Sequence, residues 1–222
     1  MNDKCVYTIN FGDYDRLREP AIITPGWDYI CYSNREISSK NWEVRIIEPN
    51  LSHCLSARYV YISSHLFAPE YKHSLMIGGQ VEILCDLDQF VEQHCDLDRD
   101  VSLMTHPARS CIYKEADLIL KEGIDKSGRV EKQIARYKRE GFPANYGLYA
   151  HGIILRENNQ RVGRHNELWW KEVLLGSHRD QLSFMFTLWK YGLVTCHSFP
   201  YSVLYGKEFG IYFHGKDKRV FG

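Results

Sequence analysis

Net charge is the first thing this sequence lacks: 28 basic residues balance 28 acidic ones, for a formal charge of +0. A balanced chain has no bulk electrostatic pull toward nucleic acid or an anionic membrane, so no nucleic-acid partner is expected. No apolar run approaches the length of a transmembrane segment. Met1-Asn2-Asp3-Lys4 is not followed by an apolar core, so no signal peptide is predicted and the expected compartment is the cytoplasm. The seven cysteines (Cys5, Cys31, Cys54, Cys85, Cys95, Cys111 and Cys196) include no C-x-x-C pair, and their number is odd. That argues against a disulfide frame or a zinc ribbon and for buried thiols in a reducing compartment. Ten histidines form neither an H-x-x-x-H pair nor a His/Cys cluster, which argues against structural zinc. G-x-x-x-x-G-K-[ST], G-x-G-x-x-G and G-x-S-x-G are all missing. A P-loop, a Rossmann cofactor site and a serine-hydrolase elbow lose their support with them. Internal repeats, low-complexity tracts and clear linkers are missing too, so the 222 residues read as a single domain, 1–222.

What the chain does have is aromatic weight: 14% of residues, with 15 tyrosines. Tyr and Trp suit sugar and nucleotide pockets, because a flat apolar face carries a polar tip; they are equally ordinary core residues. The organising stretch is His73-Ser74-Leu75-Met76-Ile77-Gly78-Gly79-Gln80-Val81-Glu82-Ile83. An apolar run of strand length stops at a Gly pair and resumes. The stop is either a plain β-turn or a turn where a phosphate-bearing ligand approaches the main chain.

Strands are expected over residues 5–10, 27–32, 42–47, 101–104, 152–156 and 211–213. Helices are expected over 52–67, 86–94, 111–121, 125–140, 166–175 and 180–191. In the first helix Leu55, Tyr59, Ile62 and Leu66 form the inward stripe, Ser52 is the cap and Arg58 points away from the stripe. The fourth-strand region is followed by Asp86 as a second cap, and Ile112, Ala116, Ile119 and Leu120 are expected inside. Strands alternating with helices predict an α/β fold whose central sheet is mainly parallel and flanked by helices.

Several polar groups have two readings. Asp86-Leu87-Asp88 spells D-x-D, which can hold a divalent ion on a diphosphate, but a helix cap is favoured. His106 and Arg109 follow a strand, and Arg suits bidentate capture of phosphate or carboxylate; the alternative is a surface turn. His214 and Lys216 could reach a diphosphate or belong to a charged tail. Arg179-Asp180-Gln181 precedes an apolar helix face, so Asp180 is either a cap (as is Ser177) or a carboxylate in a cleft, acting as general base or sugar ligand. Trp169 or Trp170 could stack on a sugar.

Taken in order, several segments carry a family likeness. They are Val6-Tyr7-Thr8 through Phe11-Gly12-Asp13-Tyr14, Tyr29 to Asn34, Ser56-Ala57-Arg58-Tyr59, His65 to Tyr71 and the central strand. His106 to Ala116, Gly141 to Leu148, Trp169 to Val173 and Arg179 to Phe184 continue the series. The chain resembles the glycosyltransferase-like domain shared by bacterial polysaccharide-cluster proteins and plant mucilage-related Golgi proteins, long catalogued as a domain of unknown function.

The resemblance implies a GT-A-like fold and a nucleotide-sugar-dependent glycosyltransferase of polysaccharide or glycan synthesis, with a nucleotide sugar and a glycan acceptor as partners. Thr8, Asn10, Tyr14, Ser33, Asn34 and Arg58 would lie near base and ribose, and Gly78, Gly79 and Gln80 at the diphosphate. Arg179, Asp180 and Gln181 would face the transferred sugar, with Asp180 catalytic; His106, Arg109, Asn145, Tyr146 and Trp170 would complete the substrate contacts. Two departures bear on a Mn²⁺ or Mg²⁺ cofactor. Gly78 stands where the family usually has a metal-contacting Asp, and Ala150 where an acidic residue is usual. No metal ligand is therefore assigned. Either cations such as Arg58, Lys216 and a His neutralise the diphosphate, or the domain has become a non-catalytic nucleotide-sugar or glycan-binding module. A nucleotide-sugar hydrolase is the third possibility.

Overall fold

A computed structural model describes residues 2–12 and 14–220. In chain order the first elements are strands β1 (Lys4–Asn10), β2 (Trp27–Ser33) and β3 (Glu43–Ile46), then helices α1 (His53–Ile62) and α2 (Ser64–Phe67). Strands β4 (His73–Ile77) and β5 (Val81–Ile83), helix α3 (Leu87–His94), strand β6 (Val101–Thr105) and helices α4 (Ile112–Lys121) and α5 (Arg129–Arg139) follow. Strand β7 (Tyr149–Glu157), helices α6 (Gln160–Leu175) and α7 (Asp180–Tyr191) and strands β8 (Cys196–Phe199), β9 (Phe209–Tyr212) and β10 (Arg219–Val220) complete the chain.

Both faces of β1 are covered, so its residues are buried on the two sides alike. Cys5 and Tyr7 enter one apolar cluster, and Val6 enters another on the opposite face. β2 divides in the same way: Ile30 and Tyr32 on one side, Tyr29 and Cys31 on the other. The sheet runs β3-β2-β1-β4-β7-β6-β8. Its pairings are parallel except on the two sides of β7. This is the mainly parallel, helix-flanked α/β architecture that the sequence predicts. After β1 the chain steps out to β2 and β3, then crosses back to β4 on the other side of β1. The reversal leaves a switch point between β1 and β4, where strand ends open a crevice.

Two local features shape that crevice. Val81 N donates to Gly78 O at 2.9 Å, closing a turn that hands the chain from the large sheet to a second sheet, β10-β9-β5. In β7 the pairing with β6 jumps from Leu103–Ile154 to Met104–Ala150, so His151, Gly152 and Ile153 bulge out of that ladder. Bulges re-aim side chains, and this one turns His151 toward α7.

Several expectations need correction. The helix expected over 52–67 is two helices, broken at Ser63, and Ser52 caps the first. Its inward residues are Ser56, Val60, Tyr61 and Ile62, while Leu55 and Tyr59 are only half-buried. The break at Ser63 changes the helical phase, which leaves Leu66 exposed. Ile119 is buried but Leu120 is exposed at the end of its helix. β7 starts at Tyr149 rather than Gly152, and the next helix starts at Gln160, capped by the Asn159 side chain, rather than at Asn166. Cys54 is exposed, unlike the buried thiol expected.

Candidate active site

A cleft of about 1060 Å³ opens at the switch point. Its walls include the end of β1 with its loop, the face of α1 that carries His53, Ala57, Arg58 and Tyr61, the turn after β4, the β7 bulge and the start of α7. The Gly pair of the central stretch forms part of this wall, so the plain turn and the cleft-lining turn are the same structure. Neither Gly78 nor Gly79 has the left-handed backbone that glycine permits. Close packing accounts for the pair instead: a Cβ on Gly79 would lie 3.0 Å from Ile9 O and 3.4 Å from the Asp15 carboxylate. Gly78 N donates to Gly152 O at 2.8 Å, which ties the turn to the bulge.

Asp180, the first residue of α7, is the hub of the cleft. Its Oδ1 accepts from Arg58 Nε at 3.2 Å, its Oδ2 accepts from Tyr61 OH at 2.7 Å, and the same Oδ2 lies 2.6 Å from His151 Nδ1. The capping position belongs to Arg179, whose side chain makes no cap bond, so neither Asp180 nor Ser177 is the cap expected from sequence. Burial alone would raise the Asp180 pKa. The hydrogen bond and charge of His151, the Arg58 charge and the Tyr61 hydroxyl outweigh it and hold the carboxyl well below the usual range. Burial, and then the Asp180 charge, push the Tyr61 hydroxyl well above its ordinary value. Burial opposes the Arg58 charge, but Asp180 raises its pKa on balance. The His151 ring is fixed edge-on between Trp169 and Phe184, 5.1 Å from each, and its Nε2 is buried without a partner.

Elsewhere in the cleft lining, Asp15 meets His214 Nδ1 at 3.0 Å, and the His214 ring lies 4.8 Å from that of Tyr14. Asn10 Nδ2 donates to Asp15 O at 2.9 Å, and Asn10 Oδ1 is buried and unpartnered. Beside Asp180, Gln181 Nε2 donates to Tyr149 O at 3.2 Å and the Arg179 Nε is buried without a partner.

Of the residues expected from sequence, Asn10, Tyr14, Arg58, Gly78, Gly79, Gln80, Arg179, Asp180, Gln181 and His214 line this one cleft. The others lie outside its lining. Thr8 is buried within β1, and Ser33 bonds the backbone of Arg35. Asn34 sits one step behind the wall, where its Oδ1 accepts from Gly12 N at 2.7 Å and its Nδ2 meets His53 Nε2 at 3.3 Å. Lys216 is exposed in the turn before β10, its carbonyl accepting from Arg18. His106 Nδ1 accepts from the backbone of Ala108 and Arg109, and Arg109 pairs with Glu115. Asn145 holds a left-handed turn (φ 58°), Tyr146 packs on Phe142, and Trp170 packs on Tyr59.

Tyr61, His151, Asp15, His53 and His178 line the cleft and were not singled out by sequence reasoning. Tyr61 lies one helical turn after Arg58, so the i, i+3 spacing was available as a signal once Arg58 was chosen. For His151 no local signal exists, because its position depends on the bulge.

A divalent cation such as Mn²⁺ or Mg²⁺ would need several free oxygen donors in the cleft. Ala150 lines the cleft but offers no side-chain oxygen, and it packs within an apolar cluster of the core. The carboxylates of the cleft, Asp15 and Asp180, are each already held by cationic or hydrogen-bonding partners. Among the described residues no three His, Cys, Asp or Glu side chains group around a metal position. Asp86 and Asp88 lie elsewhere: Asp86 caps α3 through Gln89 N, and Asp88 bonds Lys4 and Trp27 at the start of the strands. As arranged, these residues do not fit a hard cation that wants several oxygen ligands.

Comparison with known proteins adds three findings. The family model described as "TOD1/MUCI70, glycosyltransferase-like domain" matches residues 58–203. A similar solved structure is the mannosyltransferase Ktr4p from S. cerevisiae, with a TM-score of 0.47 and 8% identity over 89% of this chain and 68% of that one. No curated protein matches the sequence.

Proposed function

The chain belongs to the TOD1/MUCI70 glycosyltransferase-like domain family, and on that premise we propose that it transfers a sugar from a nucleotide-sugar donor to a glycan acceptor. The observation that carries the reading is the single cleft at the β1–β4 switch point, with Asp180 clamped by Arg58, Tyr61 and His151 inside it. In a GT-A-like arrangement the nucleotide crosses the carboxyl ends of these strands, with the base and ribose near Asn10 and Tyr14. The diphosphate passes the turn at Gly78, Gly79 and Gln80, which forms part of the cleft wall. Arg58 and Arg179 supply positive charge to the leaving diphosphate, which is a main task in glycosyl transfer. The sugar lies against Arg179, Asp180 and Gln181.

Asp180 fits one of two catalytic duties better than the other. A carboxylate held far below its ordinary pKa is a weak base, so it is poorly matched to deprotonating an acceptor hydroxyl. A permanently ionised, preorganised carboxylate does suit the positive charge that develops at the anomeric carbon.

Incubation with a panel of UDP- and GDP-sugars and glycan acceptors tests the proposal. It expects a glycosylated acceptor and released nucleoside diphosphate. Tight binding without turnover would favour the second reading, a binding module. Gly78 and Ala150, at positions usually acidic in the resembled family, support that reading. Release of free sugar in the presence of acceptor would indicate a hydrolase.

A further inference from the structure

His178 lines the same cleft, one residue before Arg179, and takes no part in the clamp on Asp180. Its side chain is 39% exposed, and its Nδ1 lies 3.6 Å from Oδ2 of Asp125, whose side chain is 2% exposed. Asp125 is held in place from both sides. Ser177 Oγ donates to its Oδ2 at 2.5 Å and Ser127 N donates to its Oδ1 at 2.9 Å. The segment that carries His178 is equally constrained. Ser177 N donates to Gln133 Oε1 at 2.9 Å, and Arg179 N donates to Ser177 Oγ at 3.0 Å. A Cβ on Gly176 would collide with the Gln133 side chain at 2.5 Å, so the approach to Ser177 is shaped for this one path. The result is a cleft-lining imidazole on a fixed backbone, with Nδ1 3.6 Å from a buried carboxylate.

We propose that His178, oriented by Asp125, is the base that takes the proton from the acceptor hydroxyl. The proposal rests on the glycosyl-transfer reading. In the step, the acceptor O–H bond breaks and its proton moves to Nε2 of His178. The freed oxygen forms a bond to the anomeric carbon, and the bond from that carbon to the diphosphate breaks with its electron pair on the phosphate oxygen. Protonated His178 then returns the proton to water. The electrostatic surroundings suit the task. The groups that act on His178 are Arg58 from α1, Asp125 from the segment before α5, and its neighbours Arg179 and Asp180. Burial, followed by the charge of Arg58, lowers its pKa against the upward pull of Asp125, so the ring is neutral and able to accept a proton at neutral pH. A carboxylate behind an imidazole fixes the tautomer and steadies the imidazolium once it forms.

Two readouts test this. Histidine-selective NMR, with His178 assigned by H178Q, reads its titration and tautomer without any donor. The expected result is an Nδ1–H tautomer with a pKa below the ordinary value, falling further in Asp125→Asn as the carboxylate's upward pull is lost. A Nε2–H tautomer, or a pKa that does not respond to Asp125→Asn, overturns the dyad. The kinetic readout is transfer from whichever of the UDP- or GDP-sugars is used, as a function of pH. His178→Gln should cost roughly a hundredfold or more in kcat, leave the donor KM within about twofold and abolish the acidic limb of the profile. Transfer that survives H178Q with that limb intact overturns the base assignment while glycosyl transfer stands. A wild-type protein inert toward the whole panel overturns glycosyl transfer, and the role of His178 with it.

Discussion

Asp180→Asn separates a helix cap from an ion-pair hub. Asn and Asp cap helices about equally, so a cap would lose almost nothing. In the structure the carboxylate makes no cap bond and instead receives Arg58 on one oxygen and Tyr61 with His151 on the other. An amide can accept on one oxygen only, so one of these donor groups would face an N–H. Removing a hydrogen bond to a charged group costs about 1.5–3 kcal/mol, and breaking a fully buried ion pair about 3–5 kcal/mol. The side chains of Arg58 and Asp180 are 22% and 13% exposed, so solvent recovers part of the loss. A cost of roughly 2–3 kcal/mol follows, and at about 2–4 °C per kcal/mol for a chain this size the Tm should fall by roughly 4–12 °C. The pH dependence has a definite sign. Asp180 has a depressed folded pKa, so its contribution is complete above the ordinary Asp value near 3.9 and fades as pH falls toward the folded value. Thermal unfolding followed by circular dichroism should therefore show a constant gap between wild type and variant from about pH 5 to 8, narrowing below about pH 4. Transfer by the folded variant should fall by roughly a hundredfold. A Tm within about 1 °C of wild type at pH 7 would refute the hub.

Three further outcomes are expected. Gly79→Ala would place a methyl 3.0 Å from Ile9 O, so urea unfolding should show a loss of about 1–3 kcal/mol, with weaker nucleotide binding by calorimetry. Because Asp15 and Asp180 are already engaged, excess chelator should leave most transfer intact, and Gly78→Asp, which adds a carboxylate to the cleft wall, should raise Mn²⁺ affinity; full loss with chelator and rescue by Mn²⁺ would contradict this. His165 is fully buried with both ring nitrogens unpartnered, and burial pushes its pKa down to about 3. Between an unfolded value near 6.5 and that folded value only the unfolded chain binds the proton, so stability should drop by about 1.4 kcal/mol per pH unit for this group as pH falls. Urea midpoints from pH 4.5 to 7 should show a shallower slope in His165→Leu than in wild type.

Elements governed by local pattern were legible in the sequence. β1, β2, α4, α5 and α7 follow from apolar runs and helical stripes, and the cap at Asp86 follows from residue type. The break at Ser63 was not legible, because Leu55, Tyr59 and Leu66 fit an unbroken stripe as well as the true face does. The cleft was partly legible: its Gly turn and the Arg179-Asp180-Gln181 group stand out as polar or flexible breaks in apolar sequence. What joins them did not, since the partners of Asp180 come from 122, 119 and 29 residues away. His151 was hidden for a further reason. Only pairing across β6 and β7 produces the bulge that aims it. His106 and Arg109 show the converse, a polar group whose needs are met locally by its own turn and by Glu115.

The most direct measurement is a crystal structure with a bound nucleoside diphosphate. The ligand should lie across the carboxyl ends of β1 and β4, with its base toward Asn10, its phosphates over Gly79 and its terminal phosphate within reach of Arg58 or Arg179. A nucleoside diphosphate found only along α5, away from the switch point, would contradict the assignment of this cleft as the site of transfer.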